Sequence, residues 1–208
     1  MLNRIIIYIA LIIYTLLILF LLYWRLYFLR DPKREAPKGR NVVSPADGKI
    51  LKITLVKKSY QKINKGFLGR IYTTTKDIAP ITRIISIFIS PLDAHYNRSP
   101  IEGKILTVKH TKGTFFPAYD LEKSLQNEKN EITIKNKSIG KVKIIQIAGF
   151  LARRISCYVK KNQNVIKGEK IGLINLGSQC ILVLPTKVKI KAKEGQHVYA
   201  GVTIIGEY

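Results

Sequence analysis

The sequence predicts a mainly β, barrel-sandwich-like domain with minor helix, preceded by one N-terminal transmembrane helix. Three observations carry this: an unbroken apolar stretch near the N-terminus, short Ile- and Val-rich runs separated by Gly, Pro, Asn and Lys afterwards, and two internal echoes in which a turn leads into a strand.

From Ile5 to Trp24 every residue is apolar, Tyr or Thr. A helix of about 20 residues, rising 1.5 Å per residue, crosses the ~30 Å hydrocarbon layer. A secretory signal would be shorter and end in a small-x-small site, whereas this stretch runs into Tyr23, Trp24, Arg25 and Tyr27, residues suited to the interface. Arg25, Arg30, Lys33, Arg34, Lys38 and Arg40 follow the span and only Arg4 precedes it, which places the globular part on the cytoplasmic side. Residues 1–28 are therefore read as the anchor. Residues 29–40, with Pro32, Pro37 and Gly39, form a basic connector, and residues 41–208 are the β-rich domain.

The chain holds 36 Lys and Arg against 13 Asp and Glu, a net charge of +23. Such a charge suits a polyanionic partner, either nucleic acid or an anionic membrane. The span favours the membrane, and no helix-turn-helix, zinc-finger or aromatic RNA-binding motif supports nucleic acid. Cys157 and Cys180 lie in no C-x-x-C or His-rich context, so they read as buried free thiols in a reducing compartment, with no metal site.

The expected strands are 49–56, 84–89, 132–134, 142–147, 181–184 and 188–190. Residues 119–130 have a weak helical pattern, and the basic stretch 57–76 reads as a long hairpin or loop over the membrane face. The first echo sets Ser44-Pro45-Ala46-Asp47-Gly48-Lys49-Ile50-Leu51 against Ser99-Pro100-Ile101-Glu102-Gly103-Lys104-Ile105-Leu106. The second sets Asn164 to Gly168, leading to Ile171-Gly172, against Gln196 to Gly201, leading to Ile204-Ile205-Gly206. These units resemble the hairpins of biotinyl and lipoyl carrier domains in fold alone.

His95 stands in the polar run Ser90-Pro91-Leu92-Asp93-Ala94-His95-Tyr96-Asn97-Arg98, just after an apolar strand, where sites are often built. His110 and His197 have no comparable polar company in the sequence. A Gly-Ser pair between strands, as in Leu176-Gly177-Ser178-Gln179, is ordinarily a turn, and it lacks the two flanking glycines of a nucleophile elbow. With Asp47 in its Pro-Ala-Asp-Gly turn, however, Asp, His and Ser supply the elements of an activated hydroxyl.

At these residues the chain resembles the phosphatidylserine decarboxylases, in their short form and its archaeal-type relatives. Leu29-Arg30-Asp31-Pro32 is similar to the family's connector, and Ser44 to Gly48 to its aspartate motif. Ile87-Phe88-Ile89-Ser90-Pro91 through His95, Asn97, Arg98 and Pro100 is similar to its histidine motif. Gln146-Ile147-Ala148-Gly149 with Ala152 to Ile155, and Lys167-Gly168-Glu169 leading to Gly177-Ser178, complete five motifs in order. Leu176 and Gln179 stand where the family has an aromatic and a basic residue.

The resemblance implies a proenzyme that self-cleaves between Gly177 and Ser178 and turns Ser178 into a covalent pyruvoyl group, the cofactor for decarboxylating a serine-headgroup phospholipid. It implies Ser178, His95 and Asp47 as catalytic residues. Arg98, Arg153 or Arg154 would hold the lipid phosphate or carboxylate, because a guanidinium fork suits both. The large and small chains would stay associated. Lipid backbone, ester or ether, and homo-oligomerisation are left open. The rival reading is a membrane-anchored, lipoyl-like adaptor without catalysis, which predicts no cleavage and a domain on the outer side.

Overall fold

In the computed structural model the described residues are 2–57, 77–113, 128–149, 154–175 and 178–208. The chain opens with α1, Leu2–Leu22, and passes directly into a π-helical segment, Tyr23–Phe28. Residues Arg4–Phe28 form one helix long and apolar enough to cross a membrane, with a mean hydropathy of 3.1 over its most apolar 18 residues. Its apolar side chains from Ile5 to Leu22 are exposed, which suits contact with lipid. Only at its end does it meet the domain, where Phe28 is fully buried.

The strands that follow are β1 (Asn41–Val43), β2 (Gly48–Lys57), β3 (Ile81–Ile89), β4 (Tyr96–Arg98), β5 (Gly103–Thr111), β6 (Lys129–Asn136), β7 (Gly140–Ile147), β8 (Ile155–Cys157), β9 (Asn164–Val165), β10 (Lys170–Ile174), β11 (Ser178–Pro185), β12 (Lys189–Ile190), β13 (His197–Val198) and β14 (Ile204–Glu207). A curled eight-stranded sheet runs β13-β2-β3-β11-β7-β6-β5-β9, flanked by two three-stranded sheets, β1-β14-β12 and β4-β10-β8. The mainly β architecture is therefore the one the apolar runs predict, and each of the six runs falls within a strand apart from its terminal residue at Val188.

Alternation explains the core. Along β11, Cys180, Leu182 and Leu184 join the main cluster with Ile85, Ile87 and Ile89, while Ile181 and Val183 join a second cluster with Ile84, Ile145 and Ile147. Both faces of β11 are covered, so the strand reads as a continuous apolar run. Ser178 has the parity of Cys180 and is thus turned toward the main core.

The two sequence echoes pair with each other. Gly48 and Lys49 face Val198 and His197, and Gly103 and Lys104 face Val165 and Asn164 in the same register. Gly201 N–H donates to Ser44 O at 2.8 Å, as Gly168 N–H donates to Ser99 O at 2.8 Å. Ser44 Oγ and Ser99 Oγ each donate to the carbonyl two residues on, both at 2.6 Å. Glycine is required after each turn because a Cβ at Gly48 would lie 2.0 Å from Phe88 O, and one at Gly103 would lie 2.4 Å from Lys135 O. The repeat is chemically uneven: Asp47 is buried, while its counterpart Glu102 is exposed.

Of the helix expected over 119–130, residues 119–127 lie outside the described residues, and Lys129 and Asn130 instead begin strand β6, paired with β5 and β7. Of the loop expected over 57–76, Lys57 closes β2 and 58–76 lie outside the described residues. Cys180 is buried as expected, and burial pushes its thiol up, but Cys157 is exposed at the end of the short edge strand β8.

Candidate active site

Ser178 begins β11 opposite Ile89, the last residue of β3. His95 lies six residues beyond Ile89, and its carbonyl accepts the Ile174 N–H at 3.4 Å, four residues before Ser178. Asp47 precedes Gly48, whose backbone is pressed against Phe88 and Ile89. The turn before β2, the loop after β3 and the start of β11 therefore meet at one end of the large sheet.

Ser178 and His95 are both fully buried. Ser178 Oγ and both ring nitrogens of His95 lack a hydrogen-bond partner. Leaving such atoms buried and unpaired costs about 1–3 kcal/mol each, so native folds keep few of them; Thr82 Oγ1, Thr133 Oγ1 and Asn130 Oδ1 share the condition, and what sets Ser178 and His95 apart is a hydroxyl and an imidazole at the same sheet end. Burial is the largest cause lowering the His95 pKa from 6.5 to about 4; Asp93 and Asp47 oppose the shift and Arg30 adds to it. The imidazole is accordingly neutral near pH 7, the state that can accept a proton.

Asp47 does not hydrogen-bond His95. One of its oxygens accepts from Arg34 Nη1 and from the Ala200 N–H at 2.8 Å, and the other accepts from Arg34 Nη2 at 2.7 Å. The bidentate fork fixes the carboxylate, and the Asp47 hydrogen bond raises the Arg34 pKa above its ordinary value. Replacing Arg34 with Met leaves a buried carboxylate with one backbone donor. Breaking such a pair should cost about 3 kcal/mol, seen as a lower urea midpoint, with part of the loss recovered in Arg34→Met/Asp47→Asn.

A line of buried amides ties the same elements together. Asn130 Nδ2 donates to Gln146 Oε1 at 2.8 Å, Gln146 Nε2 to Asn97 Oδ1 at 2.8 Å, and Asn97 Nδ2 to Pro45 O at 3.4 Å. Thus β6, β7, β4 and the Asp47 turn are set relative to one another by a chain of buried amide hydrogen bonds, in which Asn130 Oδ1 alone of the amide oxygens has no partner. The loop carrying His95 is held from another side, where Asp93 Oδ1 meets His197 Nε2 at 2.9 Å and Asp93 Oδ2 accepts the Ser90 N–H at 2.8 Å.

Of the candidate arginines, Arg98 is engaged by its Nη1 with Gly168 O at 2.8 Å and by its Nη2 with Asp31 at 2.6 Å. Burial pushes Asp31 up, but Lys170 and Arg98 outweigh it and leave the carboxyl below its ordinary value. Arg154 is exposed, and its carbonyl accepts the Asn175 N–H at 3.3 Å, just after β10 and three residues before Ser178. Arg153 and Gly177 lie outside the described residues.

Sequence reasoning gave no site role to Phe28, Arg34, Asp93 or His197. Arg34 was legible as one of several connector charges, and Asp93 stood two residues from His95 within the same motif. Neither spacing nor composition signalled that Phe28 would lie against His95, with ring centroids 4.0 Å apart.

A buried serine hydroxyl and a buried, neutral imidazole at one sheet end, beside a helix long and apolar enough to cross a membrane, make this the candidate active site of a mainly β protein. The phosphatidylserine decarboxylase family model matches residues 21–206. A phosphatidylserine decarboxylase proenzyme of Chlorobium phaeobacteroides is 42% identical over 184 residues, covering 88% of this chain and 78% of that protein. One from Chlorobium limicola is 40% identical over 190 residues, covering 91% and 81%. A protein of Methanocaldococcus jannaschii, named provisionally as an archaetidylserine decarboxylase proenzyme, is 40% identical over 186 residues, covering 89% and 90%. Among solved structures, the glucose permease IIA from Mycoplasma capricolum overlays with a TM-score of 0.39 at 15% identity, covering 82% of this chain and 96% of that one, too low a likeness to bear on function. This chain belongs to the phosphatidylserine decarboxylase family and is a carboxy-lyase.

Proposed function

We propose that the chain cuts its own backbone between Gly177 and Ser178, forms a pyruvoyl group at residue 178, and decarboxylates a serine-headgroup phospholipid, diacyl or archaeal, to the ethanolamine lipid. The observation that carries this is the trio of buried, unpartnered atoms, Ser178 Oγ with Nδ1 and Nε2 of His95.

In this reading His95 takes the Ser178 hydroxyl proton as Oγ attacks the Gly177 carbonyl carbon. The peptide C–N bond breaks as the C–Oγ bond forms, which turns the amide into an ester. Loss of the Ser178 Cα proton then breaks Cβ–Oγ, releasing residues 1–177 with a terminal carboxylate. The unsaturated residue left at 178 takes up water and loses ammonia to give the pyruvoyl group.

The residues present suit such a group. Pairing of β11 with β3 and β7 holds position 178 in place without the peptide bond before it. Strands β11 to β14 are each paired to strands from the other side of the cut, directly or through β14, which supports continued association of the two chains. A pyruvoyl carbonyl supplies an electron sink for the electrons that departing CO2 leaves behind. In this reading His95 returns the proton that replaces the carboxylate. Asp47, fixed by Arg34, acts on His95 through its field and favours the charged ring that forms when the proton arrives. Arg154 is exposed and suited to a lipid phosphate, whereas Arg98 would have to leave Asp31 to serve. Basic residues after the helix support a catalytic domain on the cytoplasmic side.

Intact-mass spectrometry of the purified chain tests the reading. Two fragments divided between Gly177 and Ser178 are expected, the smaller lighter by one ammonia than a serine-initiated 178–208 peptide. A single uncut chain, folded in detergent or membrane, would overturn it.

A further inference from the structure

The end of the membrane helix and the connector after it reach the site at four points. Tyr23 Oη donates to Pro91 O at 2.8 Å, and Arg30 Nη2 donates to Leu92 O at 2.5 Å, both in the turn that leads to His95. Arg34 clamps Asp47. Between these contacts Phe28, itself fully buried, lies on the His95 ring with an interplanar angle of 37°.

Phe28 also closes a ladder along the helix. Phe20 and Trp24 have centroids 6.1 Å apart, and Trp24 and Phe28 stack at 4.4 Å and 12°. The four-residue spacing puts these rings on one side of the helix. The last step falls in the π-helical segment, a rare geometry that often occurs where a helix serves a site.

We propose that Phe28 is a positioning residue for His95, so that the docked end of the membrane helix is a working part of the reaction centre as well as its anchor. The proposal rests on His95 being the proton acceptor of the preceding section, and its test is separable from that assignment. A phenyl ring against an imidazole whose nitrogens have no partner keeps water from supplying them. The imidazole thereby stays dry, neutral and in one orientation. The charged groups acting on it are Asp93, Arg30 and Asp47; the Asp93 backbone lies near enough to favour the charged ring, but neither ring nitrogen makes a well-formed hydrogen bond. Truncating Phe28 opens a cavity beside polar atoms, which water fills. Self-cleavage then becomes tied to seating the helix, because an undocked helix leaves His95 wet.

The test uses full-length Ser178→Ala protein in detergent micelles, which stays uncut, with 13C-labelled histidine followed by NMR against pH. The chain has three histidines, and His95→Gln assigns the resonance. His95 should titrate near pH 4 in the parent and about one unit or more higher in Phe28→Ala, with His110 and His197 unmoved. Phe28→Leu, which retains apolar volume without the ring, should give a smaller rise, and it decides the matter if Phe28→Ala fails to fold. His95 titrating within about 0.3 unit of the parent in the folded variant would overturn the proposal. In chains that keep Ser178, the acid limb of the cleavage rate should move up by the same amount. A wild-type chain that never cuts would remove the self-cleavage reading, while the titration still decides the role of Phe28.

Discussion

Ser178→Ala is expected to purify as one chain of 23.7 kDa, with no decarboxylase activity, under conditions where the unaltered chain yields two fragments. The usual objection to such a result, that the variant lost its fold, is answered by the environment of the hydroxyl. Ser178 Oγ is buried and makes no hydrogen bond, so its removal breaks none. Alanine fills nearly the same volume beside Ile89 and Cys180, and a methyl group suits that face better than an unpaired hydroxyl. Deleting it should leave stability unchanged or raise it by about 1 kcal/mol. The comparison to make is urea unfolding of the Ser178→Ala/His95→Gln chain beside His95→Gln, scored on uncut material. A variant that is uncut, equally stable and inactive locates the chemistry in the Oγ atom. Normal cutting in Ser178→Ala would place the nucleophile elsewhere.

The parts of this molecule legible in its sequence are those set by local chemistry. The span announced itself because lipid tolerates no charged face along its length, and Ile5 to Trp24 has none. The longer strands were legible because β3, β7 and β11 are buried on both faces and read as apolar runs. The short strands β4, β8, β9 and β13 were not, since Tyr96-Asn97-Arg98 or His197-Val198 carries too few residues for alternation to show. The echoes showed the repeat, and only the register shows that each copy of one pairs with a copy of the other. Gly177-Ser178, His95 and Asp47 were singled out through ordered motifs, whereas the surroundings of His95, Asp47 and Ser178 depend on contacts distant in sequence. Phe28 meets His95 across 67 positions, and Arg34 meets Asp47 through a turn that no pattern encodes. Asp47 was expected among the catalytic residues, as one element of an activated hydroxyl. Its oxygens instead serve Arg34 and Ala200, so any influence on His95 is through space.

His95→Gln separates the two consequences of a dry imidazole. Glutamine approximates the volume of histidine but accepts no proton near neutrality, so cleavage should slow by about 10²–10⁴-fold, the usual contribution of a positioned base. Time courses of fragment appearance by gel measure this, and a rate within about threefold of the unaltered chain would remove His95 from the mechanism. The second consequence is thermodynamic. The His95 pKa is lower in the folded protein, about 4, than its ordinary 6.5. Between these values the unfolded chain binds a proton that the folded one excludes, so stability is unaffected above pH 6.5 and lost as pH falls toward 4. The difference amounts to about 3 kcal/mol at the acid end. Unfolding of Ser178→Ala should therefore weaken across this window relative to Ser178→Ala/His95→Gln, and the gap between the two curves should be flat above pH 6.5. A gap that also changes above pH 7 would mean that the imidazole is held charged, and then it could not serve as the base that the serine requires.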